Sequence, residues 1–218
     1  MWYCADGGET MLKSYLLENY DYNEPIFLNE LSIEGLTENA VRQSVKRLVV
    51  NGFLERFDKG IYYIPKQDGL LGKSYLDPLL VIMRKYVRNE SETYGYVTGM
   101  TFANQLGLTT QVPAIIEIVT NKEATNGRTV TVGNQKVRIK KAAITVSDNN
   151  ADILQFLDCV GQVEKYTELS MKETIEIMCA YVKGKAFTRE QLAGVTSGMT
   201  GETAKKLIEW GMVYEYIL

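Results

Sequence analysis

A helical stripe that stops on Asn51-Gly52 and runs straight into a β-hairpin is the feature that most limits what this chain can fold into. From Thr37 onward, apolar residues fall at Val41, Val45, Leu48 and Val49, the i, i+4, i+7, i+8 spacing of one buried helical face. Thr37 has the chemistry of an N-cap, and Asn51-Gly52 supplies a stop that tolerates the left-handed conformation. FLERF, then Asp58-Lys59-Gly60, then IYYIP read as two β-rich runs about a three-residue turn. Upstream, Leu12, Tyr15 and Leu16 propose an earlier helix, with a break from Asp21 to Pro25 and a short apolar segment, IFLNELSIEGL, before Thr37. Helix, helix and hairpin within residues 1–66 is the order of a winged helix–turn–helix, whose last helix enters the DNA major groove while the wing touches the backbone.

Charge sharpens that expectation. The whole chain carries a net charge of −3, but Thr37–Lys66 hold six bases against three acids. With Val41 set at zero degrees and 100° per residue, Asn39, Arg42, Gln43, Lys46 and Arg47 all fall on the half of the helix opposite the stripe. Arg and Lys can read guanine edges, and Asn and Gln adenine edges. The expected DNA-binding set is therefore Thr37, Asn39, Arg42, Gln43, Lys46 and Arg47 on the helix, with Arg56, Lys59 and Tyr62 on the wing, where the two cations would contact phosphate. A basic amphipathic helix is also what a solvated face looks like, and winged helices also serve as protein-interaction modules. That alternative stays open.

Composition removes other classes. There is no histidine, so His-based general bases, Ser-His or Cys-His pairs and His-liganded metals are excluded. Cys4, Cys159 and Cys179 form no C-x-x-C and cannot all pair within one chain, which fits reduced thiols. The longest apolar runs, such as LLVIM at 79–83, fall far below the ~20 residues of a bilayer helix. Asp6 and Glu9 stand where a signal peptide would carry Lys or Arg, so a cytoplasmic protein is expected. QDGLLGKS from Gln67 has the look of a phosphate loop, but the position five before Gly72 is Gln67 rather than Gly. Residues 67–74 then read as a Gly-containing linker with Lys73 exposed.

Beyond it, Tyr75–Arg88 reads as a helix with Pro78 in its first turn, Met100–Leu106 as a short helix, and Ala114–Thr120 as a strand. RTVTVGNQKVRIKK supplies a hairpin about Gly133-Asn134, and ITVSDNNADILQFLDCV returns to helix. Residues 75–160 are thus an α+β domain around one sheet. Its hairpin carries Arg128, Lys136, Arg138 and Lys140, which alternation sets opposite Val137 and Ile139 in the case of the strand residues. Those cations read as a second polyanion contact or as a solvated sheet face.

KGIYYIPK at the wing, YGYVTGMTFANQLGLTTQVPAIIEIVTN in the middle and ITVSDNNADILQFLDCV after it resemble the AbiE-type abortive-infection antitoxins, the transcriptional-regulator half of type IV toxin–antitoxin pairs. The resemblance covers roughly Leu31 to Val160. It implies an autorepressor that binds an inverted repeat in its own promoter, the kind of site a homodimer meets. It also implies a C-terminal domain that counters a nucleotidyltransferase-like toxin encoded next door. Lys59, Gly60, Tyr62 and Tyr63 match the wing motif. Gly99, Gly107, Thr109, Gln111 and Pro113 match the middle one, with the glycines as backbone devices. Asp148 and Asp152, four apart at a helix start, read as capping rather than as the metal pair of the toxin itself.

Residues 161–218 read as a helical extension. Ser170-x-x-Glu173 and Thr188-x-x-Gln191 are capping boxes, and Met171, Ile175, Met178, Cys179 and Val182 form one apolar stripe. VKRLVVNGFLERF from Val45 aligns without gaps on AKKLIEWGMVYEY from Ala204. Thr188–Ile217 is therefore expected to be a second helix–turn–helix-like unit, with Thr200 capping its last helix. Lacking the return strand of a wing, it reads as a structural or partner-binding cap. The expectation as a whole is an α+β, non-enzymatic, cofactor-free DNA-binding regulator, with a protein-interaction module as the alternative.

Overall fold

The computed structural model describes residues 6–68, 72–125 and 127–212, and within them the chain is a mixed α+β protein. Its internal contacts separate two units, one up to Val81 and one from Ile82 onward.

The first unit begins with α1 (Asp6–Asn19), which buries Leu12 and Leu16, and β1 (Ile26–Phe27). The apolar segment after β1 makes turns rather than a helix, inserting Leu31 and Ile33 into the same core as α1. Then comes α2 (Glu38–Val50), capped by Thr37 and burying Val41, Val45 and Leu48 as their spacing requires. Ser44 is buried too, which no apolar pattern announces. Its small side chain lies against Gly8, so α1 and α2 approach closely there.

The helix ends in a Schellman arrangement: Gly52 N–H donates to the Val49 carbonyl at 3.1 Å and Phe53 N–H to that of Leu48 at 2.9 Å. Gly52 takes the φ of +73° that this stop demands. β2 (Glu55–Asp58) and β3 (Ile61–Tyr63) follow, and the sheet runs β1-β3-β2, antiparallel throughout. The turn is tighter than expected. Asp58 pairs with Ile61, leaving only Lys59-Gly60 between strands, and the register shift between Arg56 and Asp58 absorbs the extra residue as a bulge. Phe53 and Leu54 bend toward the core instead of extending β2.

The stretch expected to be a linker carries a short ribbon, β4 (Gln67–Asp68) paired with β5 (Gly72–Lys73). Lys73 is not merely exposed but paired with Glu55. Ser74 closes the ribbon by exchanging bonds with Lys66 and donating to Asn23 at 2.7 Å. α3 (Pro78–Tyr86) starts three residues later than expected, because Asp77 accepts from the Leu79 N–H at 2.8 Å and Pro78 fits the first helical position.

In the second unit, β6 (Gly95–Thr98) leads into α4 (Gly99–Gln105) and β7 (Ile115–Thr120), and the hairpin of β8 (Arg128–Val132) and β9 (Gln135–Lys141) turns on Gly133-Asn134. The sheet order is β6-β7-β9-β8, with β7 and β9 parallel and the other pairs antiparallel. β6 is an unannounced strand. A Cβ at Gly95 would lie 2.2 Å from the Tyr86 carbonyl, so the glycine there allows a close backbone approach inside a strand.

The chain continues with α5 (Ala151–Gln162), a 3₁₀ turn at Val163–Lys165, α6 (Met171–Lys185), α7 (Arg189–Val195), a second 3₁₀ turn at Thr196–Gly198 and α8 (Gly201–Glu209). Both expected capping boxes are formed, and Thr200 accepts from the Thr203 N–H. The stripe on α6 is rotated from expectation. Thr174, Met178 and Val182 are the buried residues, and Met171 is exposed. The tail is no appendage: Leu192, Val195, Leu207 and Met212 share one cluster with Phe102, Phe156 and Met178. The aligned run after Met212 lies outside the described residues, as does Cys4.

Candidate nucleic-acid interface

Burying Val41, Val45 and Leu48 turns the rest of α2 outward, and Asn39, Arg42, Gln43, Lys46 and Arg47 are all exposed. Arg42 meets Glu38 one turn back at 3.4 Å, a pair so solvated that it ties the guanidinium down only weakly. Gln43, Lys46, Arg47, Val50 and Asn51 share an open concavity with Glu9 of α1. Glu9 is a member that the sequence did not signal. Its carboxylate accepts from the Asn51 side-chain amide at 2.8 Å, which occupies one oxygen of an acid lying beside the cations. Thr37 is committed to its cap, accepting from the Ala40 N–H at 3.2 Å, and presents its hydroxyl at the exposed start of the helix.

On the hairpin, Lys59 is exposed at the tip, its backbone N–H held by the Asp58 carboxylate at 2.7 Å. Arg56 is exposed and folds back, Nε donating to the Asp58 carbonyl at 3.2 Å. Tyr62 stands opposite Arg56, half-buried and packed against the core of the first unit. Thus α2 gathers one polar and cationic face, and the hairpin adds the exposed Arg56 and Lys59.

The basic hairpin of the second unit divides in two. Lys140 pairs with Glu117, and Arg128 Nε donates to Glu123 at 2.7 Å. Glu123 also accepts from the Thr125 hydroxyl and from the Ala124 and Thr125 N–H groups. The Thr125 hydroxyl and N–H, then Arg128, hold its carboxyl down at about 2. Lys136 and Arg138 are exposed, with Val137 and Ile139 buried on the other side, as alternation requires.

Other chemistry in the second unit is structural in its contacts. Asp148 does not cap: it accepts from the Thr93 hydroxyl at 2.6 Å, while the Asn150 side-chain oxygen Oδ1 accepts from the Ser147 N–H at 2.8 Å. Asp152 pairs with Lys185 at 2.8 Å. Asp158 accepts from the Thr98 hydroxyl at 2.6 Å in the wall of a cavity of about 330 Å³ that Tyr96, Lys165 and Glu202 also line. Burial, with Asp158 as the lesser cause, pushes the Cys159 thiol up to about 12, so it stays protonated at neutral pH. No group of three or more Cys, Asp or Glu among the described residues is placed to hold a metal ion. No helix among them is long and apolar enough to cross a membrane.

The middle motif finds a partner in Glu168. That carboxylate accepts from the Thr110 N–H and the Gln111 side-chain amide, each at 2.8 Å, and from the Thr110 hydroxyl at 3.1 Å. Thr109 in turn accepts from the Gln111 N–H at 3.1 Å. Thr109 and Gln111 therefore order a loop rather than await a ligand.

No curated protein matches the chain. A family described as of unknown function, DUF6088, matches residues 22–183. That stretch takes in β1, α2, the β2–β3 hairpin, the whole four-stranded sheet and most of α6, and leaves α1, α7 and α8 outside. With well over half its length matched, the chain belongs to the DUF6088 family.

Proposed function

We propose that this protein is a DNA-binding transcriptional regulator whose first unit is a winged helix. The observation that carries the reading is the face of α2, where Asn39, Arg42, Gln43, Lys46 and Arg47 are exposed together opposite a buried apolar stripe. The β1-β3-β2 sheet, with α2 feeding directly into the β2–β3 hairpin, supports the winged-helix reading. On this reading α2 enters the major groove and Lys59 and Arg56 meet phosphates flanking it.

The roles separate experimentally. Arg42→Ala should weaken binding to the specific site by about 1–3 kcal/mol and relax preference there, whereas Lys59→Ala should weaken all sequences alike and lower the salt slope by about one. Equal losses on specific and random duplex for both variants would refute this division. A flat salt dependence for the wild type would refute DNA binding itself and leave a protein-interaction module.

The finer reading rests on the AbiE-type resemblance: a cytoplasmic autorepressor, dimeric on an inverted repeat in its own promoter, and antitoxin to a nucleotidyltransferase-like toxin encoded next door. Its test is co-expression with the neighbouring reading frame. Rescue of growth supports the antitoxin role, and a neighbour that is harmless alone leaves a solitary repressor.

A further inference from the structure

We infer that the exposed face of the β8–β9 hairpin is a second contact for the phosphate backbone of duplex DNA, carried by Lys136 and Arg138; this extends the DNA-binding reading to the second unit. Register sets the face. Arg138 lies between Thr129 of β8 and Glu117 of β7, and Lys136 between Thr131 and Ile115. Alternation buries Val137 and Ile139 and turns both cations and both threonines to solvent. The two cations stand two residues apart on one strand, a spacing of roughly 6.5–7 Å.

Glu117, the acid that register sets beside Arg138, is already engaged by Lys140. Neither Lys136 nor Arg138 has a carboxylate partner among the described residues. Protection of a sheet edge does not account for them either, since charges placed for that purpose belong on an edge strand. Here β8 is the edge and β9 lies inside the sheet. Two cations flanked by two hydroxyls, with no aromatic residue on either strand, suit phosphate oxygens and not the stacking of unpaired bases.

The test is a salt titration of the full-length chain on a random-sequence duplex, followed by fluorescence anisotropy. Wild type is compared with Lys136→Ala/Arg138→Ala and with Arg56→Ala/Lys59→Ala, which removes the two phosphate contacts assigned to the first unit. Each double variant is expected to lower the slope of log K against log salt by about two. Lys136→Arg/Arg138→Lys, which keeps both charges, should hold the wild-type slope, and thermal melts should show all variants folded.

A sheet variant with the wild-type slope beside a wing variant with a reduced one overturns this inference and leaves the first unit as the DNA contact. The reverse pattern overturns the phosphate role of the wing and leaves the sheet contact. Wild-type slopes for both variants overturn both.

Discussion

At the scale of single residues, Glu168 shows how one carboxylate can order a distant loop. The Thr110 N–H, the Gln111 amide and then the Thr109 hydroxyl bring its carboxyl down from an ordinary 4.5 to about 2. Because the folded value is the lower one, the stabilisation is complete above about pH 4.5 and is lost as the pH falls toward about 2. Glu168→Gln should therefore melt below the wild type at pH 7, and the two melting temperatures should converge by pH 2. A gap that persists unchanged at pH 2 would mean that the carboxylate charge is not what holds the loop. The contrast with Thr37 explains what was legible. The cap at Thr37 finds its partner three residues on, within the reach of a local pattern. The partner of Gln111 lies 57 residues away, and nothing near either residue marks the other. Glu9 is unmarked in the sequence for the same reason, because its contact with Asn51 spans 42 residues.

Elements repeat the lesson in another form. α2 and α8 share Thr caps, a basic doublet and a left-handed glycine at the end, Gly52 and Gly211 both with φ of +73°. The echo is plain in the sequence, but the use of the doublet is not. Arg47 of α2 is exposed, whereas the aligned Lys206 is buried, donating to the Gly161 carbonyl at 3.4 Å and pairing with Glu164 and Glu202. Lys205 in turn meets Glu209 at 3.5 Å. One helix turns its charges outward and the other folds a charge into the end of α5, a difference that depends on what packs alongside. Leu207, 2% exposed, sits in that packing. Leu207→Ala should destabilise the chain by about 2–5 kcal/mol in urea unfolding while leaving the DNA salt slope of the native protein unchanged. Loss of the slope in a folded variant would make α8 a nucleic-acid reader instead of a cap.

For the whole molecule, the sequence marks a helix–hairpin unit followed by an α+β unit, yet it does not mark how the four strands of the second unit join. Turn chemistry at Gly133-Asn134 identifies the β8–β9 pair, since both partners are local. The parallel pairing of β7 with β9 is set by Ile116 and Ile118 lying in register with Val137 and Ile139, buried residues on strands that are not neighbours in the chain. The tail merges into the same unit through apolar residues that read equally well as a separate helical pair.

That parallel seam also bears on the order of assembly. The sheet consists of two antiparallel pairs that meet along a single line, and only the β8–β9 pair closes through a two-residue turn. Closing a short loop costs little entropy, so the hairpin can form early, while the seam must wait for a longer excursion of chain to be restrained. Val132→Ala, within the hairpin, should mainly slow refolding, and Ile118→Val, at the seam, should mainly speed unfolding. Stopped-flow chevrons distinguish the two, and matching effects on the folding limb would place the seam in the nucleus as well. Until the seam closes, β9 has one edge of unpaired backbone groups, with Val137 and Ile139 uncovered on the face beside it, so a chain in transit is open to pairing with another copy. Aggregation during refolding should therefore rise with protein concentration most steeply in variants that delay the seam.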